Sequence, residues 1–247
     1  NGTAWESQVA LDKYMKLLAE AEKRDHRKLG RQLELFFFDP IAPASPFFLP
    51  KGATIFNELV SFVRSLYIRY GYEEVITPQL FLSSLFEESG HLEAYKEDMY
   101  LLEAQDRLFG VKPMNCPGAA ALYRQSLHSY RDLPLRYADF GRLHRNERSG
   151  VTHGLTRVRS LTQDDAPIFC EEAQIHDEVK SFIEMLTESY KVFKFEKTRF
   201  ALSLRPEQRI GSEKAWERAE EILESILITQ GIEYERESGE GAFYGPK

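Results

Sequence analysis

The chain has 247 residues, 32 Lys+Arg against 39 Asp+Glu, and a formal net charge of −7. Its 43% hydrophobic content, with 17 Phe and 12 Tyr, excludes disordered, collagenous and low-complexity classes and suits one large domain or two modest ones. No run of about 18 apolar residues is long enough to span a membrane, two cysteines exclude a disulfide scaffold and fit a reducing compartment, and the acidic balance argues against a nucleic-acid coat.

The chain opens without an initiator Met or a signal peptide, and 243–247 follow a Gly-rich stretch in mid-element, so a piece of a longer protein is expected. Residues 6–34 carry Leu11, Tyr14, Leu17, Leu18 and Ala21 at helical spacing and predict a surface or linker helix, followed by a mostly basic patch at 24–28. The aromatic run 33–38 predicts a strand, and four prolines in 40–50 predict an extended loop. An amphipathic helix is expected over 54–70, ended by Gly71, then a short strand at 74–77 stopped by Pro78. Two further helices are expected over 171–193 and 213–230, the second with Ser212 as N-cap and Gly231 past its end. Phe200, Leu202 and Leu204 alternate between them as a half-buried strand. Mixed elements without strict βαβ order predict an α+β fold with a largely antiparallel sheet.

No P-loop, dinucleotide fingerprint, C-x-x-C or H-E-x-x-H occurs. What stands out is 121–160, with eight arginines, no lysine and three acids, a balance of +5. Arginine holds phosphate or carboxylate in a bidentate fork, whereas lysine acts as a point charge. A solvated, salt-bridged surface is the plainer reading of such a composition. Strands predicted over 133–147 and 156–165, around the turn-rich link 148–154, weigh against it. Alternation puts Arg157, Arg159, Leu161, Gln163 and Asp165 on one face of the second strand, and Arg145 and Glu147 on one face of the first. A face of Arg, Glu, Gln and Asp makes a poor core but a good floor for a ligand with a phosphate and an amine.

RYGYEEVITP at 69–78 resembles motif 1 of the class II aminoacyl-tRNA synthetases, and FGRLHRNE at 140–147 with GLTRVR at 154–159 resembles motif 2. Within that class, MNCPG at 114–118, TQDD at 162–165, RPE at 205–207 and GEGAFYGPK at 239–247 resemble the threonyl-tRNA synthetase family, as does the linker at 24–30. The likeness covers nearly the whole chain. It implies a class II antiparallel sheet flanked by helices, with 1–34 a linker helix after an editing region and 35–247 the aminoacylation domain, ending before motif 3. It also implies activation of threonine by ATP with Mg²⁺ and transfer to the acceptor end of tRNA. Arg145 and His91 are then catalytic, and Arg145, Glu147, Arg157 and Lys247 bind ATP. Gln163, Asp165 and Tyr244 hold threonine. A homodimer through motif 1 and a cytoplasmic location are implied, with an organellar form left open.

The family's zinc is held by a Cys and two His. Cys116 matches the first, Pro167 stands where a His is expected, and the third position lies past Lys247. Zn²⁺ is therefore left open, and Cys116 reads equally well as a small buried hydrophobe. Ala119 replaces a His, and Leu161 replaces the Phe expected on adenine. Two readings follow: a working synthetase with an altered amino-acid pocket, or a paralogue that keeps the ATP pocket without ordinary threonine activation. Cys170 is expected in the core, and His26, His128 and His176 in packing or surface roles. His153, at the tip of the link, is a candidate for tRNA contact.

Overall fold

A computed structural model describes residues 3–195 and 197–247. The chain forms two compact units. The first holds the described residues up to Ser65, with Glu74–Ser126 and Ala138–Ala166; the second holds Leu66–Glu73, Leu127–Tyr137 and the described residues from Pro167 onward.

In the first unit, the helix expected over 6–34 is two helices, α1 (Gln8–Lys23) and α2 (His26–Gln32). The break has a local cause: the Asp25 side chain accepts the Arg27 N–H at 2.8 Å and starts a new helix. The predicted strand at 33–38 contracts to β1 (Phe36–Phe37), and part of the proline-rich loop returns as β2 (Phe47–Phe48). The two pair antiparallel, with Phe37 stacked on Phe47 at 4.9 Å between ring centroids. Helix α3 (Pro50–Arg69) begins four residues before its expected start, because proline suits the first turn of a helix.

The strand expected at 74–77 contracts to β3 (Glu73–Glu74). Next come β4 (Leu80–Leu82), α4 (Ser83–Glu88), α5 (His91–Tyr95), β5 (Leu101–Ala104) and β6 (Arg107–Val111), in a sheet ordered β4-β6-β5. Phe86, fully buried, and Met99 lie so close to Gly110 that a Cβ there would meet the Phe86 ring at 2.7 Å. Helix α6 (Cys116–Arg124) takes Pro117 in its first turn.

Strands β7 (Leu135–His144) and β8 (Ser160–Asp165) pair antiparallel, Asp139 opposite Asp165, Gly141 opposite Gln163 and Leu143 opposite Leu161. Both are shorter than expected. Arg145 N–H still bonds the Arg159 carbonyl at 2.9 Å, but Glu147 N–H turns back to the Arg145 carbonyl and Arg159 N–H goes to Ala44. Arg145, Glu147, Arg157 and Arg159 therefore leave the ladder, and the predicted alternation holds only for Leu161, Gln163 and Asp165.

In the second unit, β9 (Ile168–Phe169) pairs with Leu135 and Arg136 at the start of β7. Helix α7 (Ile175–Val192) matches its expected position apart from a single 3₁₀ turn ahead of it. Strands β10 (Phe200–Ser203) and β11 (Tyr234–Glu237) are joined through α8 (Glu213–Thr229). They pair in parallel, a departure from the otherwise antiparallel pairing, and the intervening helix supplies the crossover that parallel strands require. Ser212 caps α8 by accepting the Ala215 N–H, and Gly231 sits at φ +64° just past its end. Leu202, Trp216, Ile226 and Met185 form this unit's core, whereas Cys170 is only half-buried. No described helix is long and apolar enough to cross a membrane.

Candidate functional site

In the first unit a polar site is built on one face of β7 and β8. Directly opposed residues share a face, so Asp139, Gly141 and Leu143 lie beside Asp165, Gln163 and Leu161 as a floor. Residues 112–116 form a strap over it. The strap is tied by the His144 N–H to the Lys112 carbonyl at 3.0 Å and by the Arg145 Nε–H to the Pro113 carbonyl at 3.1 Å. Gly141 is required there: a Cβ would meet Asn115 Oδ1 at 2.0 Å. Asn115 is fully buried, and neither atom of its side-chain amide has a hydrogen-bond partner among the described residues.

Beneath the strap lies a buried network absent from the sequence-based expectations. Lys112 Nζ donates to Thr77 Oγ1 at 2.8 Å, Thr77 donates to Asp139 Oδ2 at 2.7 Å, and Lys112 is 3.5 Å from Asp139. Lys112 is 0% exposed. A charge at that depth persists only when paired and hydrogen-bonded. Asp139 itself is 3% exposed, an acid facing inward on a strand that also carries Arg136 and Arg142.

The strap brings Cys116 to Asp165, Sγ to Oδ2 at 3.8 Å. Cys116 is exposed as a whole residue, yet burial around its sulfur and the Asp165 charge push the thiol up to about 11. Asp165 is itself raised, by burial first and then by Asp139, against a lowering bond from the Ala166 N–H. Burial governs both shifts, because it penalises whichever form carries charge.

Glu147 and Arg157 are brought together as an ion pair, Nε to Oε2 at 2.9 Å, and Arg159 Nε–H donates to the Glu147 carbonyl at 2.8 Å. Arg148 pairs with Glu97 and Asn146 bonds the backbone of 97–98, which fixes the link outside the ladder. The floor and strap thus unite Arg145, Cys116, Gln163 and Asp165, with Leu161 on the same face and Ala119 buried in α6. His91 is buried at the start of α5, bonded to Ser89 at 2.8 Å, and burial lowers its basicity. Its ring also lies 6.3 Å from that of Tyr95.

Tyr244 and Lys247 belong to the second unit. There 239–247 folds back on β10: Gly241 N–H donates to the Leu204 carbonyl at 2.8 Å, and Lys247 and Ser203 exchange two backbone bonds. Gly241 stands where a Cβ would meet the Leu204 carbonyl oxygen at 2.6 Å. Tyr244 is exposed, its ring edge-on to Phe243 at 5.0 Å. Among the other histidines, His26 accepts the Leu155 N–H at 2.9 Å and His176 lies 3.3 Å from Thr229 Oγ1.

These residues do not fit a zinc ion. Cys116 is the one candidate ligand present among the described residues, Pro167 has no side-chain donor, and its carbonyl accepts the Tyr137 N–H at 3.0 Å. No three His, Cys, Asp or Glu among the described residues group to hold a metal.

Comparison with known proteins bears on this geometry. The chain is 50% identical over 246 residues to the threonine–tRNA ligase of Methylobacillus flagellatus (strain ATCC 51484 / DSM 6875 / VKM B-1610 / KT), covering 100% of this chain and 39% of that protein. It is 48% identical to the threonine–tRNA ligase of Legionella pneumophila (strain Paris), with the same coverage. The chain therefore spans about two fifths of the length of these curated relatives. The crystal structure of the RNA binding domain of threonyl-tRNA synthetase from Cryptosporidium parvum Iowa II superposes with a TM-score of 0.87 at 46% identity, over 90% of this chain and 56% of that one. The tRNA synthetase class II core domain (G, H, P, S and T) matches residues 100–247, more than half of the chain. The chain belongs to the class II tRNA synthetase core-domain family.

Proposed function

We propose that this chain supplies the aminoacylation core of a threonine–tRNA ligase. The observation that carries the reading is the convergence of Arg145, Gln163, Asp165 and the 112–116 strap on one floor. The likeness to threonine–tRNA ligases along the whole chain supports the choice of amino acid. Nothing favours the paralogue without threonine activation.

The reaction has two steps. A threonine carboxylate oxygen attacks the α-phosphorus of ATP, the bond to the bridging oxygen breaks, and pyrophosphate leaves. A ribose hydroxyl at the tRNA 3′ end then attacks the activated carbonyl carbon, loses its proton, and AMP leaves. Arg145, aimed by its bond to the Pro113 carbonyl, neutralises the charge that grows on the α-phosphate. Glu147 accepts the adenine amine, and Arg157, its present partner, turns to a distal phosphate with Lys247. The family resemblance assigns Gln163, Asp165 and Tyr244 to the threonine ammonium and hydroxyl, and His91 to the reacting end. Mg²⁺ bound with ATP would neutralise charge on the phosphates beside Arg145 and Arg157.

Rejection of valine follows from Asp165. Its half-buried carboxylate accepts from the threonine hydroxyl, and valine's methyl in that place leaves it unpaired. Residues 35–247 are read as the aminoacylation domain and 1–34 as its linker. A homodimer through the stretch resembling motif 1 is supported by Ile76 and Leu80, 87% and 49% exposed in this chain.

The test is ATP–pyrophosphate exchange by the full-length protein with threonine, valine or serine. Exchange strongest with threonine, and lost in R145Q, is expected. No threonine-dependent exchange at saturation overturns the reading.

A further inference from the structure

The basic patch ahead of the first strand has no role in the reaction above. Helix α2 and strand β1 enclose an open groove of about 790 Å³, lined by Arg27, Lys28, Arg31, Phe37, Phe38 and Gly154 among others. Its cations are not equivalent. Arg27 forks onto Asp25 at 2.6 to 3.1 Å and holds that carboxyl well below the usual range. Lys28 and Arg31, both exposed, have no ion-pair partner among the described residues. Two free cations thus stand in a chain whose net charge is −7.

The opposite wall is aromatic and exposed. Phe37 and Phe38, 43% and 39% exposed, line the groove. Phe37 stacks on Phe47, whereas Phe38 meets buried Phe36 edge-on at 5.9 Å and 84°. Phe38 therefore lines the groove with part of its ring surface exposed, and a base can stack on exposed aromatic surface.

A third feature ties the groove to the link at 148–154. His26 Nε2 accepts the Leu155 N–H at 2.9 Å, and its ring stacks on Phe36 at 6.3 Å and 25°. Gly154, at φ +48°, comes so close that a Cβ would meet His26 Nε2 at 2.2 Å. The link that resembles the motif 2 loop, α2 and β1 are therefore one fixed surface.

Unpaired cations and part-exposed aromatic rings lining one groove match what a single nucleic-acid strand requires: charge for phosphates and a platform for a base. An acidic peptide would use the cations and leave the ring idle. We propose that this groove takes a single RNA strand, with phosphates on Lys28 and Arg31 and a base on Phe38, beside the link that carries His153, the candidate for tRNA contact. The proposal rests on the tRNA reading of the previous section.

The test uses the full-length protein, a tRNA transcript and a short single-stranded oligoribonucleotide as probes, and tRNA-free ATP–pyrophosphate exchange as the control for amino-acid activation. The double variant K28Q/R31Q is expected to bind both RNAs about tenfold more weakly, with the log–log salt slope shallower by about 1.4, and with exchange unchanged. F38L is expected to weaken both about fivefold at an unchanged salt slope. Wild-type affinity and slope in the double variant overturn the proposal, as does failure of the wild type to bind either RNA. In that last case the exchange assay reports whether threonine activation stands independently. If only the charge variant weakens binding, the groove is an anion surface and the strand proposal falls.

Discussion

Strand β7 carries one ion pair into each unit, and the two are built differently. In the second unit Arg136 forks onto Glu178 with two bonds of 2.5 Å, and its side chain keeps 27% of its surface in water. In the first unit Asp139 meets Lys112, which has no solvent contact and reaches its partner largely through the Thr77 hydroxyl. A guanidinium satisfies a carboxylate by itself, geometrically and electrostatically. A buried ammonium needs a third group to take its remaining protons. That third group, Thr77, also abuts α6 at Gly118, where a Cβ would lie 3.2 Å from it. The dry pair is thereby coupled to the strap and floor, while the wet pair is a self-contained staple.

The comparison breaks first at Lys112. K112M leaves Asp139 buried without its partner and should cost about 3–5 kcal/mol in urea unfolding, with a T77V change adding far less than its own single cost. If K112M unfolds at the wild-type midpoint, the network is not as dry as described. G141A comes next, at roughly 1–3 kcal/mol, because Asn115 is enclosed and has no room to retreat. R136K should be milder still, on the order of 1 kcal/mol, since lysine keeps the charge of the wet pair and loses only the fork. A midpoint loss in R136K equal to that of K112M would erase the distinction between the two regions.

A chemical probe sharpens the picture at the strap. A thiol at about 11 is neutral below that pH, so its nucleophilic thiolate is scarce at neutral pH. Alkylation of Cys116 by iodoacetamide should stay slow through pH 9 despite the residue's exposure, and D165N should speed it by removing the neighbouring charge. Alkylation at the rate of an ordinary surface thiol would contradict the Cys116–Asp165 arrangement.

Local signals were the legible ones. Helix α8 could be placed from Ser212 and Gly231 because a cap and a left-handed stop act within a few residues. Its flanking strands β10 and β11 pair in parallel, which nothing in Phe200, Leu202 or Leu204 encodes, since the partner lies more than thirty residues on. The same division runs through the site. Gln163 and Asp165 were placed on one face by alternation alone, and the structure keeps them there. Arg157 and Glu147 were not on strands, because backbone bonds to Ala44 and within 145–147 end the ladder early, and they meet as an ion pair instead. Cys116 entered only through resemblance to a metal ligand, and its partner is a carboxylate from a strand 49 positions away. Lys112 carried no signal, because a lone lysine in a sequence looks like a surface residue until a buried acid is known to face it.

The most direct test of the account is a split of kinetic constants in ATP–pyrophosphate exchange by the full-length protein. If Asp165 holds the amino acid and Arg145 the α-phosphate, D165N raises the threonine KM more than tenfold with the ATP KM within twofold, and R145Q lowers kcat by about 100-fold or more. A D165N protein with wild-type threonine KM, or an R145Q protein with wild-type kcat, would contradict it.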